Sequence, residues 1–505
     1  MYIFNKMKKK KNRAPCFPLP PGPWNLPIIG NIHQLAFSSS TSGPVHRRLA
    51  ELAQHYGPIM QLKLGETYNV VVSSPESARA FLKTHDHEFP LRPYMPSASI
   101  IFYGGKDIVF SPVGDHWRRM KKLCTTELLS EKRVRSLRPV REEEVGKLMK
   151  LIGGEAGGGG AVNLSRLLFA VSNMITSRTA FGTIRELEGS FLPVIHQIVQ
   201  TLGGFSIGDI FPSNRLLRLI SGTERHLKKL HQEADSILQG IIDEHVSRKR
   251  RRRETEDHDM AEGAEEDDND DDDLVDVLLA STNNHVEVKA VILTHTVQDV
   301  FVAAGDSSPI AVEWTMSELM KNPEKMEKVQ REVRHFFDKR GEGAVVDEAL
   351  LNELKYLKSV VKETFRLHPP AALSLPREGP ETVVVNGYQI PSRTRVIVNY
   401  WAIGRDPSHW TQPNQFIPER FLDTCIDYRG FDFQLLPFGS GRRVCPGMNY
   451  GTAVVYSLLA NLLYRFNWEL PNQIKPQDLD MSENFGGAIS RKKNLYLIPI
   501  PYHAP

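Results

Sequence analysis

No stretch of the sequence approaches the roughly 20 consecutive apolar residues that a membrane-spanning helix needs. The apolar start, Met1 to Phe4, is far too short, and Lys6 to Lys11 follows it as a basic run. Cysteine is scarce too: Cys16, Cys124, Cys425 and Cys445 lie far apart, which excludes a disulfide framework and suits a reducing compartment. They also lack the paired Cys/His spacing of a zinc site. Charge of either sign is nearly balanced at +3, too little to imply a nucleic-acid partner. No Gly-rich dinucleotide fingerprint follows a strand, nothing reads as a flavin module, and no internal repeat is visible.

What is there suits one large core, since 505 residues carry a 41% hydrophobic share. Pro58 to Gly65 and Tyr68 to Val72 read as two short strands joined at Gly65-Glu66, and Ser74-Pro75-Glu76 starts a helix. Amphipathic helical runs recur at 132–152, 164–181, 216–248, 289–320, 323–340 and 448–466. Strand patterns return at 381–385, 388–390, 395–398 and 495–500. The fold class is therefore mainly α with small segregated β-sheets, and residues 24–505 are expected to form one domain after a basic, proline-rich segment at 1–23. Gly157 to Gly160 reads as a connector. The basic run Arg248 to Arg253 with the acidic stretch Glu254 to Asp273 reads as a mobile charged loop over 249–273.

The most informative segment is Phe438-Gly-Ser-Gly-Arg-Arg-Val-Cys445-Pro-Gly447. Gly439, Gly441 and Gly447 allow the backbone to fold closely around the sulfur, and Pro446 opens the following helix. Peptide N–H groups there, with Arg442 and Arg443, are expected to favour a thiolate. A single sulfur is enough to hold haem, where a thiolate favours O–O cleavage. The segment resembles the haem-binding signature of the cytochrome P450 superfamily at every fixed position. This resemblance implies the cytochrome P450 fold, haem b (iron protoporphyrin IX), Cys445 as its axial metal ligand, and Arg443 and Phe438 as cofactor-binding residues.

Other segments fit the same resemblance. Asp299 to Trp314 is similar to the family's oxygen-groove helix, which implies Asp306 and Ser307 as a catalytic proton-relay pair, with Ser where Thr is usual. Pro309, lacking an N–H, is expected to open that helix at Gly305 and free a carbonyl for ordered water. Glu363 and Arg366, one turn apart, resemble the pair that meets a later arginine, here Arg420, in a buried network. His116-Trp117 with Lys121, and Pro376-Arg377, resemble propionate-facing pieces, so Trp117, Lys121 and Arg377 join the cofactor-binding set, with Arg118 as a stand-in for Lys121.

By the same resemblance, Phe102, Phe110, Phe205, Phe301, Val302, Leu373, Phe485 and Ile489 line an apolar pocket for a small hydrophobic substrate such as a terpenoid or other plant specialised metabolite. An NADPH-cytochrome P450 reductase is the implied partner, docking beside Cys445. The basic N-terminal run implies peripheral contact with a membrane surface, at the cytosolic face of the endoplasmic reticulum. The leading function is hydroxylation with O2. A reductase-independent haem-thiolate isomerase or dehydratase would lack the Asp306–Ser307 pair. A non-catalytic haem-binding protein would form no NADPH-dependent product.

Overall fold

The computed structural model describes residues 17–36, 43–156, 159–182, 193–194, 197–198, 206–259, 275–276, 301–341, 346–484 and 486–502. Helices dominate. Those that frame the site are α1 (Val45–Tyr56), α2 (Pro96–Ile101), α3 (Asp115–Leu123), α4 (Arg138–Ala156) and α5 (Leu164–Phe181). They are followed by α6 (Ile207–Ile210), α7 (Arg215–Ile220), α8 (Thr223–Asp259) and α9 (Phe301–Lys321). The last three are α10 (Pro323–Asp338), α11 (Lys355–Leu367) and α12 (Met448–Arg465).

Eleven strands are assigned among the described residues. β1 (Ile59–Leu64) and β2 (Thr67–Val72) form the expected hairpin, and β2 pairs in parallel with β7 (Arg395–Val398), which carries β4 (Arg377–Glu378). A second sheet orders β3 (Val162–Asn163), β11 (Tyr496–Pro501) and β8 (Phe466–Glu469). Two small hairpins complete the set: β5 (Val383–Val385) with β6 (Tyr388–Ile390), and β9 (Glu483–Asn484) with β10 (Ser490–Arg491).

One apolar cluster joins α4, α5, α9, α10, α11 and α12, with Val312, Val329, Val360, Leu458 and Leu462 closed off from solvent. From Ile310 to Met320 every residue of α9 is buried, so this helix is the axis on which the others pack. The N-terminal sheet has its own apolar layers on each face, as strand periodicity requires.

Three expectations change. The run at 216–248 is two helices, because Gly222 takes the left-handed φ of +69° between α7 and α8. The run at 132–152 divides likewise, into Glu131–Ser136 and α4. The charged segment is no loop through residue 259: α8 continues to Asp259, because Arg, Lys and Glu are strong helix formers and no Gly or Pro interrupts them. Residues 260–273 of that segment, like Cys16, Lys6 to Lys11 and Gly157, lie outside the described residues.

Candidate active site

Cys445 stands just ahead of α12, in the loop that the sequence singles out. The loop closes on itself through Cys445 N–H to the Phe438 carbonyl at 3.0 Å. Gly439 and Gly441 adopt φ of +71° and +72°. A Cβ on Gly441 would lie 2.2 Å from the Leu82 carbonyl oxygen, so no other residue fits there. Gly447 is different: it has an ordinary φ of −85°, and a Cβ would stand 3.9 Å from the sulfur. Its contribution is the N–H that faces Sγ. Phe438 braces the loop edge-on against Phe365 of α11, with ring centroids 5.4 Å apart.

The thiolate expectation is corrected in part. Burial pushes the Cys445 thiol up, and the Gly447 N–H alone opposes it. Arg442 does not lower it, because its Nε donates to Asp86 at 2.5 Å. Arg443 instead points its guanidinium into the loop before α3, donating to the carbonyls of Ser111 at 2.6 Å and Ile108 at 3.1 Å. Burial in the loop thus opposes the thiolate, and a metal ion on the sulfur would favour it.

Around this loop five cations come within electrostatic reach of one another: Arg92, Lys121, Arg377, Arg442 and Arg443. Two carboxylates, Asp86 and Asp107, answer them. Burial, then Arg443 and Arg377, lower Arg92 to about 9, and burial and Arg377 lower Arg443 to about 10. Lys121 is lowered by burial and then Arg443. Asp107 is raised to about 6 by burial, against the N–H groups of Phe110 and Val109 that it caps. The buried Nε of Arg443 has no hydrogen-bond partner. An excess of positive charge, mostly half-buried, with a spare buried donor fits a group that brings two carboxylates, as haem does.

The sequence-predicted residues are brought together with some reassignment. Trp117 is buried, donates Nε1–H to the Ile108 carbonyl at 3.0 Å, and carries the Arg443 guanidinium on its face at 4.6 Å. Lys121 reaches the cluster by donating to the Arg442 carbonyl at 2.6 Å. Arg118 does not, since it pairs at the surface with Asp115. Arg377 bonds Asp86 and the Ser440 carbonyl, the latter at 2.8 Å. Sequence reasoning missed Arg92, which donates to the carbonyls of Val109, Leu375 and Pro376, each at 2.9 Å. Its signal was the flanking pair Pro90 and Pro93, which stiffens the segment displaying it.

Behind the loop, Glu363 and Arg366 form the expected network. Arg366 grips Glu363 by two bonds of 2.7 and 2.8 Å, and Arg420 Nε reaches the same carboxylate at 3.1 Å. The remaining Arg366 donors go to the carbonyls of Gly404, Pro413 and Gln415.

On the opposite side, α9 packs on α12 and α5. Asp306 and Ser307 are half-buried on α9, while Ser308 is buried. Ser308 faces the cysteine helix: a Cβ on Gly451 would sit 3.5 Å from its Oγ, which has no hydrogen-bond partner. The helix does not break at Gly305, for α9 is continuous through Pro309, although Pro309 still offers the Gly305 carbonyl no N–H. Burial on all sides outweighs the proline penalty. Gly305 serves close packing instead, since a Cβ there would fall 2.6 Å from Asn173 Oδ1 of α5. Of the apolar lining, the Phe102 and Phe110 rings meet at a tilt with centroids 5.1 Å apart, Ile489 is buried, and Leu373 packs on the β1–β2 layer. Phe205 and Phe485, and the side chains of Phe301 and Val302, lie outside the described set.

A helical fold that holds a lone cysteine ahead of a buried helix, opposite a long central helix and beside a cluster of cations that two carboxylates only partly neutralise, fits a haem-binding oxidoreductase class. Comparison agrees: the cytochrome P450 family model matches residues 20–499, and the chain belongs to that family. It is 45% identical to cytochrome P450 71D10 of Glycine max, covering 99% of this chain and 95% of the relative. Desmethyl-deoxy-podophyllotoxin synthase of Sinopodophyllum hexandrum is 45% identical over 96% of this chain and 92% of its own. Salviol synthase of Salvia pomifera is 42% identical over 98% and 94%. A zebrafish cytochrome P450 solved with progesterone shares the fold, with a TM-score of 0.73 at 24% identity over 91% of this chain and 100% of that one. The protein is thus a P450 monooxygenase, of a family that carries haem and draws electrons from a redox partner.

Proposed function

We propose that the protein hydroxylates a small hydrophobic plant specialised metabolite, with haem b held by Cys445 and electrons from an NADPH-cytochrome P450 reductase. The observation that carries this reading is the Cys445 loop set against the excess of buried and half-buried cations. In it, Arg92, Arg377, Arg443 and Lys121 receive the two carboxylates, with Trp117 supporting Arg443 and Phe438 supporting the loop. Bound haem supplies oxygen activation. Asp306 and Ser307 hold and pass protons on the α9 side, and the Ser hydroxyl retains the donor that a threonine would supply. Relatives named as synthases of salviol and desmethyl-deoxy-podophyllotoxin support specialised metabolism as the setting.

The test is incubation with reductase, NADPH, O2 and a terpenoid and phenolic panel, with products read by mass. Product that needs all three additions is expected, and Cys445→Ala should abolish both the product and the thiolate-type absorption band of the reduced, CO-bound protein. Product without reductase would favour the isomerase or dehydratase reading.

We further propose peripheral attachment to the cytosolic face of the endoplasmic reticulum. Among the described residues no helix is long and apolar enough to cross a membrane. Yet α7 buries nothing, leaving Leu216, Leu219 and Ile220 at 65%, 61% and 73% exposure beside Arg225, Lys228 and Lys229. An exposed apolar helix bordered by cations suits an anionic lipid surface. Leu219→Glu with Ile220→Glu should cut co-sedimentation with phosphatidylserine vesicles severalfold, and unaltered sedimentation would reject this placement.

A further inference from the structure

Two neighbouring residues of α9, Glu313 and Trp314, are fully buried two turns beyond the proton-relay pair and meet the C-terminal hairpin. Trp314 Nε1–H donates to the Ile489 carbonyl at 2.9 Å, and the Ile489 N–H donates to the Pro370 carbonyl at 2.8 Å. Both polar backbone groups of Ile489 are therefore held by other parts of the fold. Glu313 secures the other end of the same segment. Its carboxyl bonds the Ser165 hydroxyl, which in turn accepts the Leu495 N–H at 2.7 Å. Between the two ends, the Arg491 guanidinium lies over the Trp314 ring at 5.6 Å.

The indole is itself fixed. It stacks on His368 with ring centroids 4.2 Å apart and planes 5° from parallel, and His368 Nε2 meets Glu318 at 2.7 Å. A chain of contacts thus runs from Glu318 through His368 and Trp314 to Ile489, with every member buried. Such an arrangement leaves the indole one orientation, and the orientation sets where the Ile489 carbonyl stands.

We propose that Trp314 is a positioning residue for substrate selectivity, fastening the hairpin segment 489–495 to the oxygen-groove helix so that Ile489 keeps a fixed place in the pocket wall. The inference rests on reading Ile489 as a pocket-lining residue, which belongs to the proposed function. Trp314 does not touch the reacting atoms. Its effect is on which ligand shapes are accepted, and it acts through the backbone of residue 489.

Hydrogen–deuterium exchange of the full-length haem protein, with and without Trp314→Phe, tests this. Phenylalanine keeps the stack on His368 and loses the N–H. Exchange in the peptide covering 486–495 should rise about tenfold or more, while peptides from α12 stay unchanged. In the same samples, affinity for 4-phenylimidazole should change severalfold relative to imidazole, read from the haem spectrum, because only the larger ligand meets the wall. Unchanged exchange, or an equal change for both ligands, overturns the proposal. Should the variant not accumulate as haem protein, the unsubstituted protein decides: Ile489 and Leu495 must be protected to the same degree as the α9 amides at 313–316. A hairpin that exchanges much faster than α9 overturns it. Absence of the thiolate-type band from the unsubstituted protein would count against the proposed function, separately from any of these results.

Discussion

At the scale of single residues, Glu363 is the side chain on which most depends. Four donors converge on its carboxylate: two from Arg366, the Ile417 N–H at 2.7 Å, and Arg420 Nε. Glutamine is isosteric but neutral, so Glu363→Gln strands two buried guanidinium groups, at a cost of about 3–5 kcal/mol. The expected outcome is protein with little haem and a strongly lowered thermal midpoint, measured as haem per chain and by calorimetry. A variant with full haem and a midpoint within a degree or two of the parent would show that the charge is dispensable. This network was legible because Glu363 and Arg366 share a helix face and Arg420 follows a recognisable Pro-Glu-Arg-Phe. The arginine cluster was only half legible. Arg92 meets the Leu375 carbonyl from 283 positions away, and no local spacing encodes that approach.

At the scale of elements, the approach of α5 to α9 is set by Gly305. A methyl group there meets Asn173 Oδ1 at 2.6 Å, yet alanine is also the better helix former by about 1 kcal/mol. The two effects oppose each other, so a single substitution has an ambiguous sign and a double-mutant cycle does not. Gly305→Ala should be less favourable when Asn173 is present than when Asn173→Ala has cleared the space, where it should stabilise. The coupling expected in thermal unfolding is about 1–3 kcal/mol. Additive effects would mean that the helices part freely. Element starts were readable from their caps: the Ser74 hydroxyl accepts the Ser77 N–H at 3.2 Å, and Asn163 Oδ1 accepts the Arg166 N–H at 3.0 Å. The break at Gly222 was not, because the apolar pattern continues across it. The continuity of α9 through Pro309 was misread for a related reason, since the packing that overrides the proline comes from α5, α11 and α12.

At the scale of the whole molecule, Glu483 ties the C-terminal hairpin to the first long helix, accepting from His46 Nε2 at 3.0 Å and Arg47 Nε at 2.9 Å across 437 and 436 positions. Burial alone would raise this carboxyl, but the hydrogen bonds and charges of His46 and Arg47 bring it down to about 2. Burial also lowers His46, against the raising effect of Glu483. For a carboxyl held below its unfolded value of 4.5, the stabilisation is complete above that value and disappears as pH falls through the folded one. The window is therefore between about pH 4.5 and pH 2, and the full contribution is on the order of 3 kcal/mol. His46 adds to the acid sensitivity by a different route: burial holds its folded value below the unfolded one, so protonating it costs stability through desolvation even though the imidazolium would be attracted to Glu483. Glu483→Gln removes the carboxyl and should flatten the fall in unfolding free energy across that window relative to the parent, while lowering stability at neutral pH. Parallel curves for the two proteins would show that the tie between α1 and the hairpin carries none of the acid sensitivity. Since β9 also begins the hairpin that holds Ile489, acid release at Glu483 should loosen that hairpin before the core around α9 and α12 opens.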